Sequence, residues 1–199
     1  FEKVTVNNLN LFKKFFLEEF LEVPELESSK EEIHKFYSII ISEIRDYPQV
    51  INHYDFESRN LMSLSEEKIG VIDFQDALIG PLGIDLASIF KDLYIDWTKE
   101  EIVNWLDFYI EKSQIVKSAS LKSIDVKRMI DFASLQRQTR ILGKLSQVFF
   151  ELKRSERIKD FKTILKYLMN TSSEYTGTKK YSDLFKNLIP ILEQRLKTL

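Results

Sequence analysis

The chain has no cysteine, only two histidines (His34 and His53), five glycines and four prolines in 199 residues. Without cysteine, disulfide staples and thiolate metal sites are excluded, and two histidines are too few for a multi-His zinc centre. Charge of one sign is lacking too. The 29 Lys and Arg against 31 Asp and Glu leave a formal charge of −2 and a pI near 5.9. Such a balance gives no electrostatic case for nucleic acid or a membrane surface as partner. No apolar run reaches the ~18 residues of a membrane span, and the N-terminus has no signal-peptide pattern. The expected compartment is the cytoplasm. Internal repeats, low-complexity tracts and obvious linkers are absent as well. The chain opens on Phe1, not Met, inside a helical pattern, which suggests processing, truncation or further residues ahead of it.

What is present is the composition of a soluble globular protein, 44% hydrophobic and 30% charged. A chain of this size removes roughly 70% of its unfolded surface on folding, enough for a real core. Helical periodicity dominates. "VNNLNLFKKFFLEEFLEV" (4–23) spaces Leu9, Phe12, Phe16, Phe20 and Leu21 along one helix face, with Asn7 or Asn8 as N-cap. The stretch 28–48 opens on a capping box, Ser29 with Glu32, and ends before Pro48. A second capping box, Thr98 with Glu101, opens a helix over 98–114. From Asp125 to about Lys153 the pattern predicts one long helix or a pair. Two more follow at 158–174 and 181–198, the last kinked or split by Pro190.

One region does not fit this filler. In "NHYDFESRNLMSLSEEKIGVIDFQDALIGPLGIDLASIF" (52–90), acids, amides and a histidine sit among short apolar runs. Leu61–Leu64 and Ile69–Phe74 flank a polar turn, Ser65–Lys68, and predict a β-hairpin. After the loop "IGPLG", helix is expected from about Ile84 past Tyr94. The expected fold is therefore mainly α with a small β-hairpin.

Asp55 precedes Asn60 by five residues, and Asp73 follows Asn60 by thirteen. A polar loop running into a hairpin can bring all three to one point. One carboxylate can then take a proton from a hydroxyl. The amide oxygen and the other carboxylate are hard donors suited to Mg²⁺, which takes one or two protein ligands and completes its octahedron with water and phosphate oxygens. A positioned base and a metal between β- and γ-phosphates are what phosphoryl transfer from ATP requires.

At these residues the sequence resembles a family. "HYDFESRN" (53–60) is similar to the catalytic loop of the protein-kinase-like fold, His-x-Asp-x-x-x-x-Asn, and "IDFQD" (72–76) to the metal-binding segment of its aminoglycoside phosphotransferase and choline kinase branch. "GPLGIDLASIF" (80–90) resembles the stretch that follows that segment. The phrases "SRNLM", "GVIDFQDALIGPLGIDLAS", "NLNLFKKFFLE" and "DFASLQRQTRILGKLSQVFF" resemble most closely the bacterial kinases that phosphorylate the anomeric hydroxyl of N-acetylmuramate and N-acetylglucosamine in cell-wall recycling. The resemblance covers nearly the whole chain but only the helical C-terminal lobe of that fold, over 1–199, with the catalytic loop at 53–60, the metal segment at 72–76 and a helical subdomain at 84–199. It implies Asp55 as catalytic base, Asn60 and Asp73 as ligands of Mg²⁺ held with ATP, His53 bracing the loop, and Asp85 accepting backbone hydrogen bonds from it. The expected acceptor is an amino sugar.

The chain departs from the family at three places. Tyr54 stands where a basic or small residue is usual. Glu57 stands where many relatives have His and protein kinases have Lys, so Arg59 becomes the candidate positive charge and Glu57 a candidate contact to the acceptor. No glycine-rich loop and no strand lysine precede His53, so the nucleotide-covering N-terminal lobe is expected outside the chain. Asp76 either lines the acceptor site or caps a turn. Asp85, just before an apolar helix, is explained equally by N-capping. Arg137 and Arg140 can reach an acidic sugar substituent or pair with neighbouring carboxylates. Two other readings stand beside the sugar kinase: a degenerate pseudokinase serving as a binding module, and an aminoglycoside- or choline-type kinase.

Overall fold

Scarce helix breakers and apolar residues at three- and four-residue spacing make most of the chain helical. The computed structural model describes residues 2–23, 27–66 and 68–199. Eight α-helices lie among the described residues: α1 (Glu2–Leu11), α2 (Glu27–Arg45), α3 (Ile84–Phe90), α4 (Lys99–Lys112), α5 (Gln114–Ser118), α6 (Ser123–Leu152), α7 (Phe161–Ser173) and α8 (Lys179–Leu196). Four short strands form two antiparallel pairs. β2 (Leu61–Ser65) and β3 (Lys68–Val71) make the expected hairpin, with Leu61 opposite Val71. β1 (Gln49–Asn52) and β4 (Leu78–Pro81) make a second pair that local sequence could not reveal, with Asn52 opposite Leu78, 26 residues on, and Gln49 opposite Pro81. The chain divides into two compact units, residues 44–134 and residues 2–43 with 135–199.

In the unit 44–134, Tyr54, Ile84, Ala87, Phe90, Val116, Val126, Ile130 and Ala133 form a buried cluster, onto which Leu78, Ile102, Leu106 and Tyr109 pack. Tyr54 anchors the polar segment 52–60 in this cluster. Gly83 opens α3 at φ 108°, a conformation that costs an L side chain strain. A Cβ there would also lie 2.8 Å from the Met129 carbonyl oxygen. The Thr98–Glu101 capping box forms as expected, the Thr98 side chain accepting from the Glu101 N–H and Glu101 accepting in return.

In the other unit the packing is aromatic. Phe12, Phe16 and Phe20 stack in a column, and Phe161 meets Phe16 and Phe20 edge-on with centroids 5.3 and 5.0 Å apart. Phe36 packs on Tyr181 and Phe185. The buried Tyr37 hydroxyl donates to the Leu9 carbonyl at 2.5 Å, and burial pushes its pKa well up.

Five expectations of local structure are corrected. Asn7 and Asn8 lie inside α1, not at its cap, because the helix is already formed at Glu2. The first helix continues from Phe12 to Phe20 as a π-helix, with the Leu21 N–H bonded to the Phe16 carbonyl. The apolar spacing fits either ladder. α2 starts at Glu27, ahead of Ser29, whose side chain lies outside the described residues; Glu32 instead pairs with Lys35 and Lys180. α3 stops at Phe90 instead of passing Tyr94, where the Trp97 indole donates to the Ile89 carbonyl and Asp92 takes the Tyr94 N–H. Pro190 leaves α8 undivided.

Candidate active site

The loop after β1 turns sharply at a buried residue, and its own N–H groups need partners there. Tyr54 sits at φ 77° with its ring buried. A non-glycine residue held at positive φ is strained unless its surroundings hold it there. Asp85, in the first turn of α3, does so. One carboxylate oxygen accepts from the His53 N–H at 2.7 Å and the other from the Tyr54 N–H at 3.0 Å. The N-cap of α3 is Gly83, so capping does not account for Asp85.

Beyond Asp55 the chain closes a 3₁₀ turn, Ser58–Asn60. The Glu57 N–H bonds to the Asp55 carbonyl and the Asn60 N–H to that of Glu57. The Asn60 side-chain amide donates to the Asp55 carbonyl at 2.8 Å. That bond turns the Asn60 amide nitrogen toward the Asp55 backbone. The Asn60 carbonyl then accepts from the Ile72 N–H at 3.1 Å, and the His53 ring Nε2 donates to the Ile72 carbonyl at 2.8 Å. His53 thus straps the start of the loop to the end of β3, and Asn60 straps its end to the same residue. Asp73 follows directly at φ 66° with an exposed carboxylate, one oxygen accepting from the Gln75 side chain at 2.7 Å. The expected strand through Phe74 is shorter: β3 ends at Val71, two residues before the positive φ of Asp73.

The structure therefore brings Asp55, Asn60 and Asp73 into one hydrogen-bonded loop pair. Asp55 is half-buried and Asn60 buried. Glu57 is also buried, its carboxylate 3.3 Å from the Nε of Arg59, whose guanidinium lies over the Tyr94 ring at 5.7 Å from the centroid. Asp76 is exposed in the turn after Asp73. Arg137 lies on α6 in the other unit and is 1% exposed. No group of three or more His, Cys, Asp or Glu able to hold a metal ion occurs among the described residues. A hard cation that keeps water and phosphate oxygens needs fewer protein ligands, and one amide oxygen with one carboxylate is a donor set of that kind.

Sequence reasoning missed one carboxylate. Asp92 is 2% exposed; one oxygen accepts from the Ser58 N–H at 2.8 Å and the other from the Tyr94 N–H at 2.7 Å. Its signal was its place seven residues after Asp85, at the end of the same short helix.

No helix among the described residues is long and apolar enough to cross a membrane. Comparison with known proteins adds the following. The chain is 26% identical over 171 residues to an N-acetylmuramate/N-acetylglucosamine kinase of Neisseria meningitidis, covering 85% of this chain and 51% of that protein. Proteins of the same name from Pseudomonas putida and Pseudomonas aeruginosa are each 27% identical, over 70% and 84% of this chain and 41% and 49% of theirs. The chain thus spans about half the length of the curated relatives it matches. Residues 10–117 match the phosphotransferase enzyme family known as APH. That stretch is more than half of the chain and contains every residue of the laced loop pair, and the chain belongs to the APH phosphotransferase family.

Proposed function

We propose that the chain is the helical C-terminal lobe of a small-molecule kinase that transfers a phosphoryl group from ATP to a hydroxyl of an amino sugar, N-acetylmuramate or N-acetylglucosamine. The observation that carries this reading is the pair of straps on Ile72. They link the segment that carries the base candidate Asp55 and Asn60 to the segment that carries Asp73. The names of the three relatives support the acceptor class.

In this reading Asp55 accepts the proton of the attacking sugar hydroxyl, a role worth about 10²–10⁴-fold in rate. The amide oxygen of Asn60 and the carboxylate of Asp73 would hold Mg²⁺, which supplies neutralisation of charge on the phosphates when bound. Arg59 contributes positive charge at the loop, and its buried partner Glu57 faces the acceptor with hydrogen-bond acceptors suited to sugar hydroxyls. Asp76, exposed beyond Asp73, lines the acceptor side. In this reading a lobe that covers the triphosphate lies outside residues 1–199. Without that cover, water weakens every charge interaction at the γ-phosphate, so residues 1–199 alone turn over slowly.

A second reading, a binding module with no turnover, draws on one observation: Glu57 pairs with the only Lys or Arg of the loop 53–60 and competes with phosphate for it. One assay separates the two. The full-length protein carrying these residues is incubated with ATP, Mg²⁺ and each sugar, and sugar phosphate is followed by ³¹P NMR. The kinase reading expects an anomeric phosphate, lost about 10²–10⁴-fold in kcat in Asp55→Asn. Sugar binding without any product selects the binding module.

A further inference from the structure

We infer that Asp92 is a positioning residue for the loop 53–60, a second carboxylate anchor that sets the end of the loop as Asp85 sets its beginning. The inference rests on the kinase reading only for its activity readout.

The loop meets two carboxylates from one short helix and its exit. Asp85 takes the N–H groups of His53 and Tyr54, at the entry. Asp92 takes the N–H of Ser58, three residues after Asp55 and two before Asn60. Ser58 is the first residue of the 3₁₀ turn, and the residue ahead of it, Glu57, makes no side-chain cap bond to the turn. The leading N–H of a helical turn has no partner within the turn and carries the positive end of its dipole. A buried carboxylate is a strong acceptor for such a donor, and the bond is worth more away from water. Asp92 thus caps the turn from 34 residues away.

The second oxygen of Asp92 extends its reach. By accepting from the Tyr94 N–H it fixes the backbone that carries the Tyr94 ring, and that ring underlies the Arg59 guanidinium. One carboxylate therefore sets both sides of Arg59: the turn from which it projects and the ring it lies on. The same turn ends at Asn60, whose side chain closes onto Asp55. Loss of the Asp92 bonds lets the turn and Tyr94 shift independently, while the entry of the loop stays clamped by Asp85.

Two variants remove opposite ends of the Ser58 bond. Asp92→Asn replaces one accepting oxygen with an amide nitrogen. Ser58→Pro removes the donor itself; Glu57 at φ −100°, ψ 158° already has the backbone that a following proline requires, and proline suits the first position of a turn. In the full-length protein each variant is expected to lower kcat by about 10- to 100-fold, the scale of a displacement near 1 Å in an oriented site. The sugar KM should change little, and the double variant should lose no more than the worse single one, because both act through one bond. Amide hydrogen exchange supplies a readout that needs no turnover. Ser58 and Tyr94 should be protected in the wild type, and Ser58 should exchange at least about tenfold faster in Asp92→Asn, with His53 and Tyr54 unchanged.

Additive losses, a uniform rise of exchange across residues 44–134, or unprotected Ser58 and Tyr94 amides in the wild type would overturn the inference. If Asp92→Asn does not fold, Ser58→Pro and the wild-type exchange decide it. If the wild type forms no product with any sugar, the kinase reading fails, and the exchange of Ser58 still tests the anchor by itself.

Discussion

The unit of residues 44–134 and the unit built from residues 2–43 and 135–199 are held by different interactions. In the first, side-chain carboxylates and an imidazole bind loop backbone 19 to 34 residues away: His53 to Ile72, Asp85 to His53 and Tyr54, Asp92 to Ser58. In the second, ring packing carries the largest buried long-range contacts, Phe16 and Phe20 on Phe161 and Phe36 on Tyr181 and Phe185, alongside the Tyr37–Leu9 hydrogen bond and the Glu32–Lys180 pair. A hydrogen bond is directional and fixes an atom within tenths of an ångström, while its net contribution to stability is modest. Ring burial is weakly directional and contributes much more free energy. Directional long-range bonds are concentrated where chemistry is proposed, in a unit that also has its own apolar core, and the other unit is packed mainly by rings.

The largest test of this contrast is Phe161→Ala. Phe161 is fully buried between Phe16 and Phe20, and its truncation should cost about 3–5 kcal/mol. Urea unfolding measures it; a loss under 1 kcal/mol would break the view that rings carry the stability of this unit.

Gly143→Ala sharpens the contrast at one methyl group. A Cβ at Gly143 would lie 2.4 Å from the Phe12 nitrogen and 2.6 Å from the Leu11 carbonyl carbon, at the junction where α1 becomes the π-helix. Those are backbone atoms, which cannot swing aside, so a cost of about 1–3 kcal/mol is expected despite the better helix propensity of alanine. A gain in melting temperature would show that the junction yields.

The smallest effect is expected at an exposed polar feature of the first unit. Thr98→Ala removes the N-cap of α4 and should cost about 0.5–2 kcal/mol. Bonds from the Thr98 side chain and backbone hold the Glu101 carboxyl below its ordinary 4.5. A group whose pKa is lowered on folding contributes stability above the ordinary value, and that contribution is lost as pH falls through the folded one. The difference in melting temperature between wild type and Thr98→Ala should therefore narrow as pH drops below about 4.5. A difference that stays constant down to pH 3 would separate the cap from the charge.

Local rules reached most of the helices, the hairpin of β2 and β3 and the Thr98 cap, because spacing and capping are written in neighbouring residues. They also marked Asp55, Asn60 and Asp73 as unusual. They did not reach the pairing of β1 with β4, whose partners lie far apart in the chain and whose four-residue strands carry no turn between them. They misplaced the end of α3, because the apolar run continues through Tyr94 while the break comes from Asp92 and Trp97 bonding across the chain. The π-helix was illegible for a related reason: phenylalanines at positions 12, 15, 16 and 20 suit either hydrogen-bond ladder, and the choice rests on what they pack against.

By itself the sequence determined which residue types were available for chemistry: no thiol, too few imidazoles for zinc, and one stretch where acids and amides interrupt apolar runs. Only the tertiary structure decided how they are used. Whether a carboxylate caps a helix, holds a loop or stays open to solvent depends on which N–H groups it meets, and Asp85, Asp92 and Asp73 meet theirs across sequence distances of 31, 34 and 2 residues. A short-range partner can be read from spacing; a long-range one exists only after the core beneath the loop has packed.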